Sequence, residues 1–400
     1  MPEVVPVPGL VERYVRLGLA LGRHLDGLVD AYYGPPAWKA EAEAGPPHPL
    51  PALVADAARL VADLDGGADP EVAGRRRAWL RAQAVGLHTV GRSLAGEAVP
   101  YLDEVEASYG VRPGPVAEDA LVAAHRRLDE ALPGTGTLRD RVIAWREAHT
   151  VPPEQLEGAI RSLAEDFGER TRRAFGLPDG EHVDWVLEAD KPWSGFNYYR
   201  GDLTSTVAIN VDLPVQSLVL GHLVAHEAYP GHHTEHCRKE VGLVRQRGHL
   251  EEAIFLVGTP QCLLAEGLAD VALEALLGEG FESVLAPHFA SLGLRYDADE
   301  AAAVRGALAS VSKARGNLAL MLHDEGRPHD EVRDWAERWL LLPRVRAEKQ
   351  LAFISDPTWR AYIFCYTEGV ELCRAFVAGD PARFERLLTE QLVPADLAVA

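Results

Sequence analysis

The sequence predicts a mainly α-helical protein, with a small β-sheet or hairpin beside a buried helix that bears histidine and glutamate. Three observations lead there. Apolar residues recur at helical spacing through most of the chain, and the first 178 residues read as helical hairpins without chemistry of their own. Strict alternation is confined to Thr204–Asn210, where Ser205, Val207 and Ile209 share a face. Val215–Ala228 is apolar nearly all round, the mark of a buried helix, yet it ends in His226 and Glu227. Buried polar groups must find partners, so that ending asks for more than solubility.

The elements follow in order. Leu10–Val29 places Tyr14, Leu17, Leu21, Leu25 and Leu28 on one stripe, and Gly34-Pro35-Pro36 ends it. Pro51 suits the first turn of a second helix, whose stripe is Leu53, Ala57, Leu60, Val61 and Leu64 before the Gly66-Gly67 stop. Val72–Leu94 is a third, its Arg75-Arg76-Arg77 run read as a solvated face. Tyr101–Tyr109, Val116–Leu132, Leu138–His149 and Pro153–Phe175 complete this part. At about Glu181 the texture changes. Val183–Ala189 and Phe196–Arg200 are short β-prone runs separated by Pro192 and Gly195. Asp212 can cap the next helix, with Pro214 in its first turn. Later, Leu250–Leu277 reads as one long helix with a break near Gly258-Thr259-Pro260. Asp297–Leu322, Asp330–Leu341, Pro343–Leu351 and Thr358–Ala378 are helical again, and His323 reads as a capping or packing residue. This divides the chain into a helical lobe, 1–180, and a metal-binding lobe, 181–400, built as one unit with a cleft between them.

Composition removes several functions. The net charge of -20 argues against nucleic acid and anionic membrane as partners, since both demand basic patches. Cys237, Cys262, Cys365 and Cys373 show no C-x-x-C spacing, so they suggest neither a zinc ribbon nor a redox pair, and so few fit a reducing compartment. Met1–Pro8 has no basic region followed by an apolar run, and no stretch approaches a membrane span. The expectation is a soluble cytoplasmic protein. A G-x-S-x-G elbow, a Walker loop and a dinucleotide fingerprint are all missing.

The chemistry lies in Gly221–His236, which holds five of the chain's fifteen histidines and two glutamates. His226-Glu227 opens the H-E-x-x-H zinc pattern, in which the glutamate is the base, but Pro230 stands where the second histidine belongs. In an unbroken helix His232 would lie roughly 9 Å along the axis and about 120° off the face of His226. Proline cannot continue the ladder and clashes with the carbonyl four residues back, here that of His226. If Pro230-Gly231 loop out as a bulge, His232 regains the place of the fourth residue. A second register is also written here: His232-x-x-Glu235-His236 is the inverted zinc motif, with Glu235 as base, and needs no bulge. A histidine-rich turn without any ion is the plain alternative to both.

His226-Glu227-Ala228-Tyr229-Pro230-Gly231-His232-His233 resembles the signature of a bacterial family of zincin-like, gluzincin-type proteins, a domain of unknown function inferred to contain metallopeptidases. The resemblance is specific over about Val207–Asp270, loose to the carboxyl end, and implies a shortened version of a longer family chain. It implies a zincin-like helical metallopeptidase fold and a zinc ion held by His226, His232 and Glu266. Glu227 is then the general base. In the family the third ligand sits in a Glu-Gly-aromatic-Ala element; here Leu268 replaces the aromatic. Asp270, four residues after Glu266, would orient a ligand imidazole or itself bind. Tyr366, paired with Tyr362, would hydrogen-bond the developing oxyanion, although core packing explains such a pair equally well. His233 and His236 remain as spare ligands or substrate contacts.

The implied activity is hydrolysis of a peptide bond by metal-activated water. Hydrolysis of a non-peptide amide or ester needs the same residues, and a helical metal-binding protein without turnover needs most of them. Thr204–Asn210 directly precedes the buried helix and is expected to be an edge strand that accepts an extended peptide. A strand paired on both sides would instead favour a small amide.

Overall fold

The computed structural model describes residues 9–67, 69–70, 72–191 and 193–398. Pro192, expected to separate two β runs, and Met1–Pro8, read for a leader, lie outside them. Helices dominate, as the apolar spacing requires.

Four helices build the first layer: α1 (Leu10–Gly22), α2 (Pro36–Glu43), α3 (Leu50–Gly66) and α4 (Gly74–Leu94). Tyr14, Leu21, Leu60, Leu64, Trp79 and Leu87 form their shared core. Proline opens α2 and α3 in the first turn, where its missing N–H costs nothing, and Gly67 closes α3 in the left-handed conformation. Next come α5 (Tyr101–Tyr109), α6 (Glu118–Ala131), α7 (Leu138–Ala148) and α8 (Pro153–Ala174), close to the expected bounds. One expectation for α4 is corrected. Arg76 does not face solvent but donates through Nε and a terminal nitrogen to the buried carboxylate of Glu251, at 2.6 and 2.8 Å.

Two expected helices each surrender an end to a strand. The first stops at Gly22, and β1 (Val29–Tyr32) runs antiparallel to β5 (Ile254–Leu256). Val29, Tyr32, Ile254 and Phe255 are of the β-branched and aromatic types that fit a pleated surface. Their pairing partner lies far away in the chain, so local spacing cannot register it. Ile254 and Leu256 pack into the core of the first four helices, which fastens that layer to the rest.

The three-stranded sheet consists of β2 (His182–Glu188), β3 (Gly195–Gly201) and β4 (Thr204–Asn210). The order is β2-β4-β3, with β2 parallel and β3 antiparallel to β4. Thr204–Asn210 is therefore the middle strand, and the expectation of an edge strand is overturned. Alternation identified a strand, but it carries no count of neighbours. Buried residues on both faces, Val207 and Ile209 on one and Ala208 and Asn210 on the other, accompany the central position.

Three helices carry the motif: α9 (Ser217–Glu227), α10 (His232–Lys239) and α11 (Pro260–Leu277). Asp212 does not cap α9, whose N-cap is Gln216; it accepts from the backbone N–H groups of Asp190 and Lys191 instead. The expected helix Thr358–Ala378 is also corrected. Turns occupy its start, a π-helical turn spans Cys365–Gly369, and regular helix covers only Val370–Val377. His323 packs as expected, its Nε2 2.7 Å from the carbonyl oxygen of Ile354. All four cysteines are buried and free. No described helix is long and apolar enough to cross a membrane.

Candidate metal centre

The helix carrying His226 ends one residue later, at Glu227. Ala228 leaves the helical region, the Tyr229–Pro230 peptide is cis, and the chain turns directly into α10 at His232. The expected two-residue bulge is thus a full break between helices, with the same result for His232. Gly231 makes the break possible. Its N–H donates to the carbonyl oxygen of Ala225 at 2.8 Å, and a Cβ there would stand 1.9 Å from the carbonyl oxygen of His226. No other residue fits so close to a backbone.

Across this break the imidazoles of His226 and His232 meet edge to face, 4.8 Å between ring centroids. Glu266, projecting from α11, lies between them. Its Oε2 is 3.4 Å from His226 Nε2 and its Oε1 3.2 Å from His232 Nε2. All three residues are buried, and one ligand atom from each lies within 4.8 Å of the others. Two ligands about 2.1 Å from a tetrahedral zinc stand about 3.4 Å apart, which is the spacing seen here. Glu266 Oε2 is buried without a hydrogen-bond partner, as a carboxylate oxygen reserved for an ion would be. The residues fit the metal.

Asp270 backs the cluster. Its Oδ1 is 3.1 Å from His226 Nδ1 and 3.1 Å from His222 Nε2, so it fixes the His226 ring with Nε2 turned to the cluster. Tyr362 donates its hydroxyl to Glu266 Oε1 at 2.7 Å. Burial works to raise the Glu266 carboxyl, but His232 and His226 outweigh it and hold the group well below the usual range. Asp270 is held low in the same way, burial being outweighed by His222 and His226. In return, His226 and His232 are raised despite burial: the first by Asp270 and Glu266, the second chiefly by Glu266.

Glu227 lines the adjoining cavity without belonging to the triad. Its carboxyl lies against β3 so closely that a Cβ on Gly195 would stand 2.7 Å from Oε1, and its carbonyl accepts from Asn197 Nδ2 at 2.6 Å. Burial raises this carboxyl above its ordinary value, only partly opposed by His226 and His232. Tyr366 lines the same cavity, and burial, reinforced by Glu266, keeps its phenol protonated and able to donate. Both tyrosines line the cavity but differ in bonding: Tyr362 donates to a carboxylate of the cluster, while among the described residues none accepts from the Tyr366 hydroxyl.

The inverted register is not assembled. Glu235 takes a hydrogen bond from buried Lys239 at 2.7 Å, and His236 stacks on Tyr199 with centroids 4.6 Å apart. His233 binds Glu181 through Nε2 at 2.9 Å and Ser205 through Nδ1 at 2.8 Å. Neither spare histidine reaches the cavity lining. Asp30, Trp193, Phe353 and Trp359, which also line the cavity, carry no local signal in the sequence. These four come from segments scattered along the chain, each an ordinary residue in its local setting.

No family model matches the chain, and no curated protein does. Two solved structures share its fold. One is a "putative lipoprotein" from Colwellia psychrerythraea, with a TM-score of 0.54 and 16% identity over 86% of this chain. The chain spans 65% of the length of that protein. The other, a "putative lipoprotein of unknown function" from Shewanella oneidensis, has a TM-score of 0.52 and 13% identity, over 94% of this chain and 76% of its own. At such identities the likeness is one of fold.

Proposed function

We propose that this chain is a zinc-dependent hydrolase of the zincin-like kind, cleaving an amide bond in a small substrate or at the end of a short peptide. The observation that carries the reading is the meeting of His226, His232 and Glu266 across the helix break, with an orphaned carboxylate oxygen at their centre and Glu227 alongside. His226, His232 and Glu266 would hold the ion, which supplies a polarised carbonyl and a water acidic enough to react near neutrality. Glu227 would be the base, its carboxylate taking up a proton in the cavity and giving it to the leaving nitrogen. The Tyr366 hydroxyl donates to the oxygen that gains charge. Asp270 and Tyr362 keep two of the three holding groups in place.

The central place of β4 leaves an extended peptide no free edge to pair with on that strand. The cavity of about 60 Å3 has Trp193, Phe196, Phe353 and Trp359 in its walls, beside the residues that would hold the ion. The test begins with elemental analysis of protein purified without a histidine tag. Near one zinc per chain is expected, followed by turnover of small aminoacyl amides ahead of long peptides. Stoichiometric zinc without turnover of any amide, ester or peptide would leave a metal-binding protein and sink the hydrolase.

A further inference from the structure

The N-terminal layer contributes one side chain to the cavity, and it is a carboxylate. Asp30 lies on β1, which pairs with β5, and it lines the cavity together with the metal cluster and Glu227. Among the described residues no side chain donates a hydrogen bond to Asp30 and no lysine, arginine or histidine forms an ion pair with it within 4 Å. The cavity lining contains no lysine or arginine at all. The guanidinium of Arg315 lies instead over the Tyr366 ring, 5.8 Å from its centroid, and is bonded to Gln350. Aromatic faces supply much of the remaining wall. Phe353 stacks on Trp359 at 5.9 Å, and Trp359 meets Tyr362 edge to face at 5.1 Å.

An acidic side chain bonded to no cation, in a cavity with aromatic walls, is the chemistry that receives an ammonium group: burial raises the Asp30 carboxyl to about 7 against the pull of His232, and an arriving ammonium supplies a countercharge, with ring quadrupoles in the same walls. Away from the His226 and His232 imidazoles the wall offers a substrate carboxylate no lysine or arginine, and Asp30 and Glu227 place acidic groups there instead. We infer that Asp30 and the surrounding aromatic residues bind a protonated primary amine of the substrate, so that the bond cleaved lies next to a free amino terminus and not next to a free carboxyl terminus. This rests on the hydrolase reading for the cleavage, but the amine site stands or falls by binding alone.

Calorimetric titration of the full-length chain with leucinamide and N-acetyl-leucinamide tests it, with zinc present and after chelation. The free amine is expected to bind at least tenfold tighter than the blocked one in both states, and Asp30→Asn is expected to level the two. Chelation matters because an amino amide can also grip zinc directly. A preference that vanishes with the metal, or survives in Asp30→Asn, overturns the proposal, as does failure of both probes to bind. Circular dichroism of Asp30→Asn guards against a folding defect, and Asp30→Glu should restore part of the preference. If the preference holds and the zinc-loaded chain still cleaves no aminoacyl amide, the amine site is supported and only the hydrolase reading fails.

Discussion

Two pairs of histidines lie within eleven residues of one another and have opposite fates. His226 and His232 face Glu266, and their neighbours favour the charged ring; His233 and His236 lie on α10 as well, yet burial dominates and depresses both. His233 is spent on Glu181 and Ser205, His236 on the face of Tyr199. Residue type is the same throughout, so what separates a candidate ligand from a packing residue is whether two imidazoles share one carboxylate: Glu266 lies between His226 and His232, whereas among the described histidines Glu181 meets His233 alone. A histidine count would have credited all four.

The largest expected effect breaks the comparison at its centre. His226→Ala or Glu266→Gln should remove the bound metal, taking zinc content from near one per chain to near zero by elemental analysis. His233→Gln should leave zinc content unchanged. If His233→Gln loses metal as readily, the division between the pairs is wrong. Glu227→Gln is the next step down. It should keep the metal and lower kcat by about 10² or more, since Glu227 lines the cavity but lies outside the triad. Loss of metal in that variant would make Glu227 a holding residue. Tyr366→Phe should lower kcat by about 10² with little change in KM, as removal of one oxyanion donor does. An unchanged kcat would return Tyr366 to packing.

The sequence made the centre of the site legible and left its walls unread. His226, Glu227 and His232 could be placed because a proline and a glycine between them dictate a break whatever surrounds it. Glu266 came from a family resemblance, and α11 does bring it to the two imidazoles. Asp30 offered no local signal; it reaches the cavity only because β1 pairs with a strand far along the chain. The same long-range pairing hid β5 inside an expected helix. β4 shows a third kind of limit: its strand character is local, but its central position is set by β2 and β3 coming from either side. Helical bounds, which depend on neighbours three and four residues away, were readable through most of the first 174 residues.

The smallest effect sharpens the comparison through pH. Burial lowers His233 and His236 below their ordinary value, so the unfolded chain takes up protons that the folded chain refuses once pH falls below about 6.5. Stability from this pair is fully present above that pH and is lost as pH falls, by at most about 1.4 kcal/mol per pH unit for each ring. The other pair has the reverse sign. His226 and His232 are raised in the metal-free chain, so their contribution is complete below about 6.5 and is lost only as pH rises through their folded values. Glu266 and Asp270 are held low, so their contribution begins to fade only near and below the ordinary carboxyl range. Between about pH 5 and 6.5 the pH dependence attributable to these groups therefore belongs to His233 and His236. His236→Phe can keep the stack on Tyr199 and the edge contact with Phe255 while removing a titrating ring. Thermal melts of the metal-free chain and the variant, compared across that window, cancel the other histidines. The variant should lose less stability on acidification, by about 1 kcal/mol per pH unit, and equal slopes would show that His236 titrates freely despite its burial.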